Sequence, residues 1–167
     1  MTNIIIIDLE TTGLSSDKHE IIEIGAVNTT TSETFECKVH PLRIKEADPE
    51  SLKINGYNKI EWEKAFLLPN ALKLLNEFVG VNQPYFMAYN ALFDLSFLEK
   101  AYRDCALPWP FHYHKLDLLT IAWDRLEKGL SLELKNVASV LGVSPESAVH
   151  HALAGAECAY QIYKKLI

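Results

Sequence analysis

Four consecutive isoleucines, Ile4 to Ile7, run straight into Asp8-Leu9-Glu10, and this junction constrains the chain more than any other stretch. So dense a β-branched run predicts a buried central strand over residues 3–8. Carboxylates at the end of such a strand are costly to desolvate. Side chains alternate along a strand, so residues 8 and 10 share a face and aim two anions at one place. Like charges that close raise each other's pKa unless a cation lies between them, and a divalent metal ion is the natural occupant. On the tripeptide alone, two solvated acids at a strand end fit about as well.

Further acids follow. Asp8-Leu9-Glu10-Thr11-Thr12-Gly13 is succeeded by Asn90-Ala91-Leu92-Phe93-Asp94 and, near the C-terminus, by His150. In this order and rough spacing, and with Ile21-Ile22-Glu23-Ile24-Gly25-Ala26-Val27 and His150-His151-Ala152-Leu153 beside them, the motifs resemble those of the DEDDh-type 3′-5′ exonucleases. That family, within the ribonuclease H-like superfamily, includes the proofreading exonuclease subunit of bacterial replicative polymerases and ribonuclease T. The resemblance runs across nearly all of the 167 residues.

The resemblance implies roles. Asp8, Glu10 and Asp94 are the expected metal ligands, and a set made only of oxygen donors suits Mg²⁺ or Mn²⁺. Two such ions ~3.5–4 Å apart activate a water and steady the leaving oxygen. His150 corresponds to the general base, work suited to an imidazole of pKa ~6.5; a helix-start residue without chemistry is the plainer reading. Thr11, Thr12, Gly13 and Leu14 form the loop that receives the terminal nucleotide through backbone amides and an apolar wedge. Asn90 and Phe93 line the same pocket, where an aromatic face stacks on a base at ~1–3 kcal/mol; for Phe93, plain core is the alternative. Tyr89 stands where the family more often has histidine.

One ligand is missing. The family's last motif runs histidine, four residues, aspartate, and from His150 the fifth position is Gly155. Counting from His151 gives Ala156, which is no better. Glu157 is two positions on, roughly 200° around a helix, and leaves from nearly the opposite face. The sequence displays no turn or packing reason for the glycine. Asp117, ahead of an apolar helical stretch, reads as that helix's cap rather than as a ligand. Trp62, Trp109 and Trp123 read as packing, and His112 and His114 lack a third ligand.

The pattern along the chain predicts strands at 21–28 and 33–40 in an antiparallel meander with the first. A helix follows Pro69-Asn70, and Tyr85–Tyr89 forms a fourth strand that delivers Asn90 to Asp94 at the start of the next helix. A short fifth strand near 113–116, a helix from Asp117 to about Glu127, another from Ser131 to Leu141, and a last one carrying Ala152, Ala156, Tyr160 and Tyr163 complete the chain. The expected fold is α/β, a mixed sheet of about five strands, three antiparallel and then strand–helix units, flanked by helices in the ribonuclease H-like arrangement.

Hydrophobic residues make up 49% of the sequence and no linker or repeat divides it, which fits one domain over 1–167. A net charge of -6 argues against adhesion to nucleic acid through a broad basic surface. It still permits a nuclease, because acids that ring a metal count toward net charge. Cys37, Cys105 and Cys158 form no Cys-x-x-Cys pair, no positive leader precedes the isoleucines, and nothing is long enough to span a membrane, so a reduced cytoplasmic protein is expected. Together these readings predict a 3′-5′ exonuclease that acts on single-stranded DNA or RNA 3′ ends by two-metal hydrolysis, releases nucleoside monophosphates, and is impaired by Gly155. Association with a polymerase or repair protein is a further expectation. The alternative is a catalytically inactive nucleic-acid-binding or accessory module of the same fold.

Overall fold

The computed structural model describes residues 3–145 and 147–167. Strand β1 (Ile4–Thr11) is the centre of a five-stranded sheet ordered β3-β2-β1-β4-β5. β2 (Ile21–Asn28) and β3 (Thr34–Lys38) pair antiparallel outward from it. On its other side β4 (Tyr85–Ala88) and β5 (Lys115–Asp117) run parallel. This is the mixed α/β sheet of the ribonuclease H-like fold, three antiparallel strands and then strand–helix units.

Alternation along β1 divides the core. Ile5, Ile7 and Leu9 bury against α3 (Leu68–Val79) and α4 (Ala91–Asp104). Ile4 and Ile6 bury on the other face, against α5 (Leu118–Arg125), α6 (Leu134–Val140) and α7 (Ala152–Leu166). Asp8 and Glu10 continue that second face toward α7. In register, Asp8 lies opposite Gly25 and Glu10 opposite Glu23. Gly25 is where α7 meets the sheet: a Cβ there would stand 2.1 Å from the Ala152 carbonyl carbon. Only a residue without a side chain lets the helix come down beside Asp8.

Several bounds differ from those expected. β1 continues through Thr11 with a bulge between Glu10 and Thr11, so the acids sit within the strand rather than at its end. Bulges recur beside active sites because they redirect the side chains that follow. Leu68 and Pro69 open α3, ahead of the start expected after Pro69-Asn70, since proline fits a helix's first turn. The helix expected from Ser131 begins at Leu134, after Glu133 in extended backbone. β3 ends at Lys38, and Val39 bridges to Phe66 instead. The fifth strand is Lys115–Asp117, leaving His112 and His114 in the loop before it. Two short helices, α1 (Pro49–Ile54) and α2 (Lys59–Trp62), were not foreseen; Asp48 and Asn58 cap them. They are too short to register as hydrophobic periodicity. Among the described residues, no helix is long and apolar enough to cross a membrane.

Candidate active site

A cavity of about 780 Å³ opens at the end of β1, and Asp8, Glu10, Asp94 and His150 all line it. They arrive from three places: Asp8 and Glu10 from the central strand, Asp94 from the first turn of α4, and His150 from the loop before α7. Asp8 and Glu10 are half-buried, Asp94 is 3% exposed, and His150 is exposed. Thr11, Leu14, Asn90 and Phe93 share the wall, Leu14 with 78% of its surface free.

The Asp94 carboxyl is strongly perturbed. Burial pushes its carboxyl up to about 8, and the Asp117 carboxylate adds to the rise, while backbone N–H groups of Asp94 itself and of Leu9 oppose it. The Leu9 N–H donates to Asp94 Oδ1 at 3.1 Å, which docks the helix onto the strand between the two other acids. Carboxyls displaced this far by burial cluster at functional sites.

Asp117 does cap its helix, accepting from Leu119 N–H, and it does more. The same Oδ1 accepts from the N–H groups of Asn90 and Ala91 at 3.1 Å each. Asn90 has φ of +64°, a left-handed conformation that asparagine tolerates better than most residues. Asp117 thus braces the turn that turns β4 into α4 and carries Asp94 to the cavity. Tyr89 donates its hydroxyl to the Leu132 carbonyl at 2.8 Å, joining the end of β4 to the opposite wall. Phe93 is half-buried, its ring 5.1 Å from that of Phe97, so it is both a cavity wall and the edge of the core.

The loop after β1 divides in two. Thr11 Oγ donates to the Gly13 carbonyl, and Leu14 projects at the cavity mouth. Thr12 is buried, its hydroxyl accepting from Glu20 N–H, and Gly13 lies beneath the His19 ring; neither of these lines the cavity.

Gly155 is buried in the first turn of α7, on the side that carries Ala152, Ala156 and Ala159 into the sheet. The close approach of this helix to the sheet is at Ala152, whose backbone meets Gly25. Glu157 is exposed and lines a separate cavity, as its 200° offset requires, and does not replace the missing acid.

Three features escaped the sequence reading. Glu23 is fully buried on β2, with no hydrogen-bond partner at either carboxylate oxygen and His151 Nδ1 3.6 Å from Oε2. Burial drives its carboxyl upward against the pull of Lys38 and His151. An acid inside an otherwise apolar strand was the available signal. Asn55, 1% exposed, lines the cavity beside Ser51 and Ile54, with only an Asn-Gly pair to mark it. Leu132 to Lys135 form the far wall, where Lys135 pairs with Glu133 at 2.9 Å.

Carboxylate oxygens and a buried Asp94 that gains from a nearby cation fit a hard divalent ion in chemistry. No group of three or more His, Cys, Asp or Glu among the described residues stands ready to hold an ion.

Fold and site together define a DEDDh-type exonuclease frame within the ribonuclease H-like superfamily. The Exonuclease (RNase_T) family model matches residues 5–163, and the chain belongs to that family. It is 32% identical over 165 residues to the PolC-type DNA polymerase III of Thermotoga maritima, a match covering 98% of this chain and 12% of that polymerase. The corresponding polymerase of Clostridium perfringens is 31% identical over 176 residues, covering 97% and 11%. The chain therefore spans only about an eighth of these relatives. Among solved structures, E. coli exonuclease I in complex with a dT13 oligonucleotide superposes with a TM-score of 0.80 at 18% identity, covering 98% of this chain and 40% of that one. The nuclease domain of 3′hExo, a DEDDh family member bound to rAMP, gives 0.78 at 20% identity, covering 96% and 89%.

Proposed function

We propose that residues 1–167 form one cytoplasmic exonuclease domain that removes nucleoside monophosphates from single-stranded 3′ ends in the 3′-to-5′ direction, slowed by Gly155. The observation that carries this reading is the gathering of Asp8, Glu10, Asp94 and His150 on one cavity whose mouth bears the exposed Leu14. Asp8, Glu10 and Asp94 would hold Mg²⁺ or Mn²⁺, which when bound supplies an activated water and stabilises the leaving oxygen. His150, exposed at the rim, takes the water's proton. Leu14 and Phe93 wedge and stack the terminal base, and Thr11 and Asn90 line the pocket beside it.

Single-stranded DNA or RNA is the substrate class. Exonuclease I in complex with dT13 supports the first and 3′hExo bound to rAMP supports the second. Its polymerase relatives support a polymerase as partner. Gly155 in place of the family's last acid favours a second reading, a non-catalytic module that binds the 3′ end without turnover. Digestion of 5′-labelled single strands, DNA and RNA, with Mg²⁺ and with Mn²⁺ separates the two. A ladder of products shortened one nucleotide at a time from the 3′ end supports the enzyme. Tight binding with no shortening supports the module, and neither binding nor shortening removes both.

A further inference from the structure

Three consecutive residues outside every motif bind both halves of the site. Asn55 is 1% exposed and its Nδ2 donates to the Thr11 carbonyl at 3.0 Å, just past the bulge that follows Glu10. Its Oδ1 accepts from Tyr57 N–H at 3.2 Å, which fixes the amide's orientation. One residue earlier, the Ile54 carbonyl accepts from the backbone N–H of His150 at 3.0 Å. One residue later, Gly56 has φ of +63°, and a Cβ there would lie 2.7 Å from Val149 Cγ1. At its other end α1 is also tied to the loop, because Asp48 N–H donates to the Thr12 carbonyl at 2.8 Å. The helix is a strut strapped to Thr12 at one end and to Thr11 and His150 at the other.

We propose that the Ile54-Asn55-Gly56 turn is a positioning device that fixes His150 at a set distance from the acid-bearing end of β1. His150 itself is exposed and enters α7 from a loop, so packing alone does not locate it. The turn supplies a backbone anchor on one side, and the buried Glu23 beside His151 supplies a second on the other. Asn55 is a positioning residue: it reaches the chemistry through Thr11 and through the neighbour that holds His150. The inference rests on the reading of His150 as base.

Asn55→Asp keeps an acceptor for Tyr57 N–H and removes the donor to Thr11, whereas Gly56→Ala presses on Val149. Amide hydrogen exchange, read residue by residue in metal-free protein, tests both variants without need of activity. The His150 N–H should exchange roughly 10-fold faster, the effect of losing one hydrogen bond's net contribution, while Ile6 and Ile7 keep the parent's protection. In Mn²⁺-supported digestion, kcat should fall by roughly 5-fold or more with KM unchanged, since misplacement of a base weakens the transition state and not substrate binding. Exchange at His150 that stays at the parent's rate in both variants overturns the proposal, as does acceleration spread evenly over the sheet. Failure of the underlying reading has a separate signature: His150→Ala would retain the parent's kcat.

Discussion

Replacing Asp94 by asparagine should stabilise the metal-free protein at neutral pH. The Asp94 carboxyl is pushed up to about 8 by burial first and by Asp117 second, from an ordinary 3.8. A folded-state pKa raised above the unfolded one means that the folded protein keeps the proton longer. Its contribution is intact below about pH 3.8 and is lost progressively as pH climbs toward 8. By about pH 7 some three pKa units of that interval have been crossed, which at ~1.4 kcal/mol per unit makes an upper bound of about 4 kcal/mol. Asparagine has the same shape, its Oδ1 still accepts from Leu9 N–H, and it carries no proton to lose. With relaxation halving the gain, the melting temperature should rise by roughly 5 °C or more for a chain of this size. Calorimetry in EDTA at about pH 7 and again at about pH 4.5 reads the effect, which should nearly vanish at the lower value. Mn²⁺ should invert the ranking, because an ion that binds only the folded parent raises its melting temperature and leaves the variant behind. A variant that melts at or below the parent at pH 7, or whose gain is the same at both pH values, refutes the account of Asp94.

Gly25→Ala should cost at least ~2 kcal/mol in urea denaturation, because the new Cβ meets Ala152 backbone at 2.1 Å and α7 must move; a loss below ~0.5 kcal/mol would show that the helix is not seated as described. Tyr89→Phe deletes the hydroxyl that holds the Leu132 carbonyl and should cost ~1 kcal/mol, with no change at all arguing that the two walls of the cavity are not tied there. Asp8→Ala should reduce any metal-supported digestion at least ~10-fold, since a carboxylate that would hold the metal is lost; retention of the parent's rate removes the two-metal assignment.

The antiparallel meander of the first three strands was legible because β1 and β2 are dense in β-branched residues and the polar turn Thr29 to Ser32 separates β2 from β3. Asp94 was legible because its motif sits where a strand hands over to a helix. What could not be read was long-range in origin. Asn55 is an unremarkable Asn-Gly turn until Thr11 and His150, far away in sequence, come to lie beside it. The bracing of Asn90 and Ala91 by Asp117 likewise exists only once β5 is placed next to β4. Periodicity reports which face of an element is buried, and it is silent about which polar group another element will present there.

The central claim is that this cavity is an exonuclease site short of one carboxylate, and Gly155→Asp tests it most directly. Residue 155 is buried one turn beyond Ala152, whose backbone rests on Gly25, the register partner of Asp8. If Gly155 stands at the acid position of the family's final motif, an acid there joins Asp8, Glu10 and Asp94, and in metal-free buffer the added repulsion should lower the melting temperature, with Mn²⁺ restoring it. The decisive measurement is the rate of Mg²⁺-dependent mononucleotide release from a 5′-labelled single strand, which should rise at least ~10-fold over the parent. A folded variant that binds Mn²⁺ no better than the parent and digests no faster would contradict the alignment of His150 and Gly155 with the family's final motif, and with it the reading of the site.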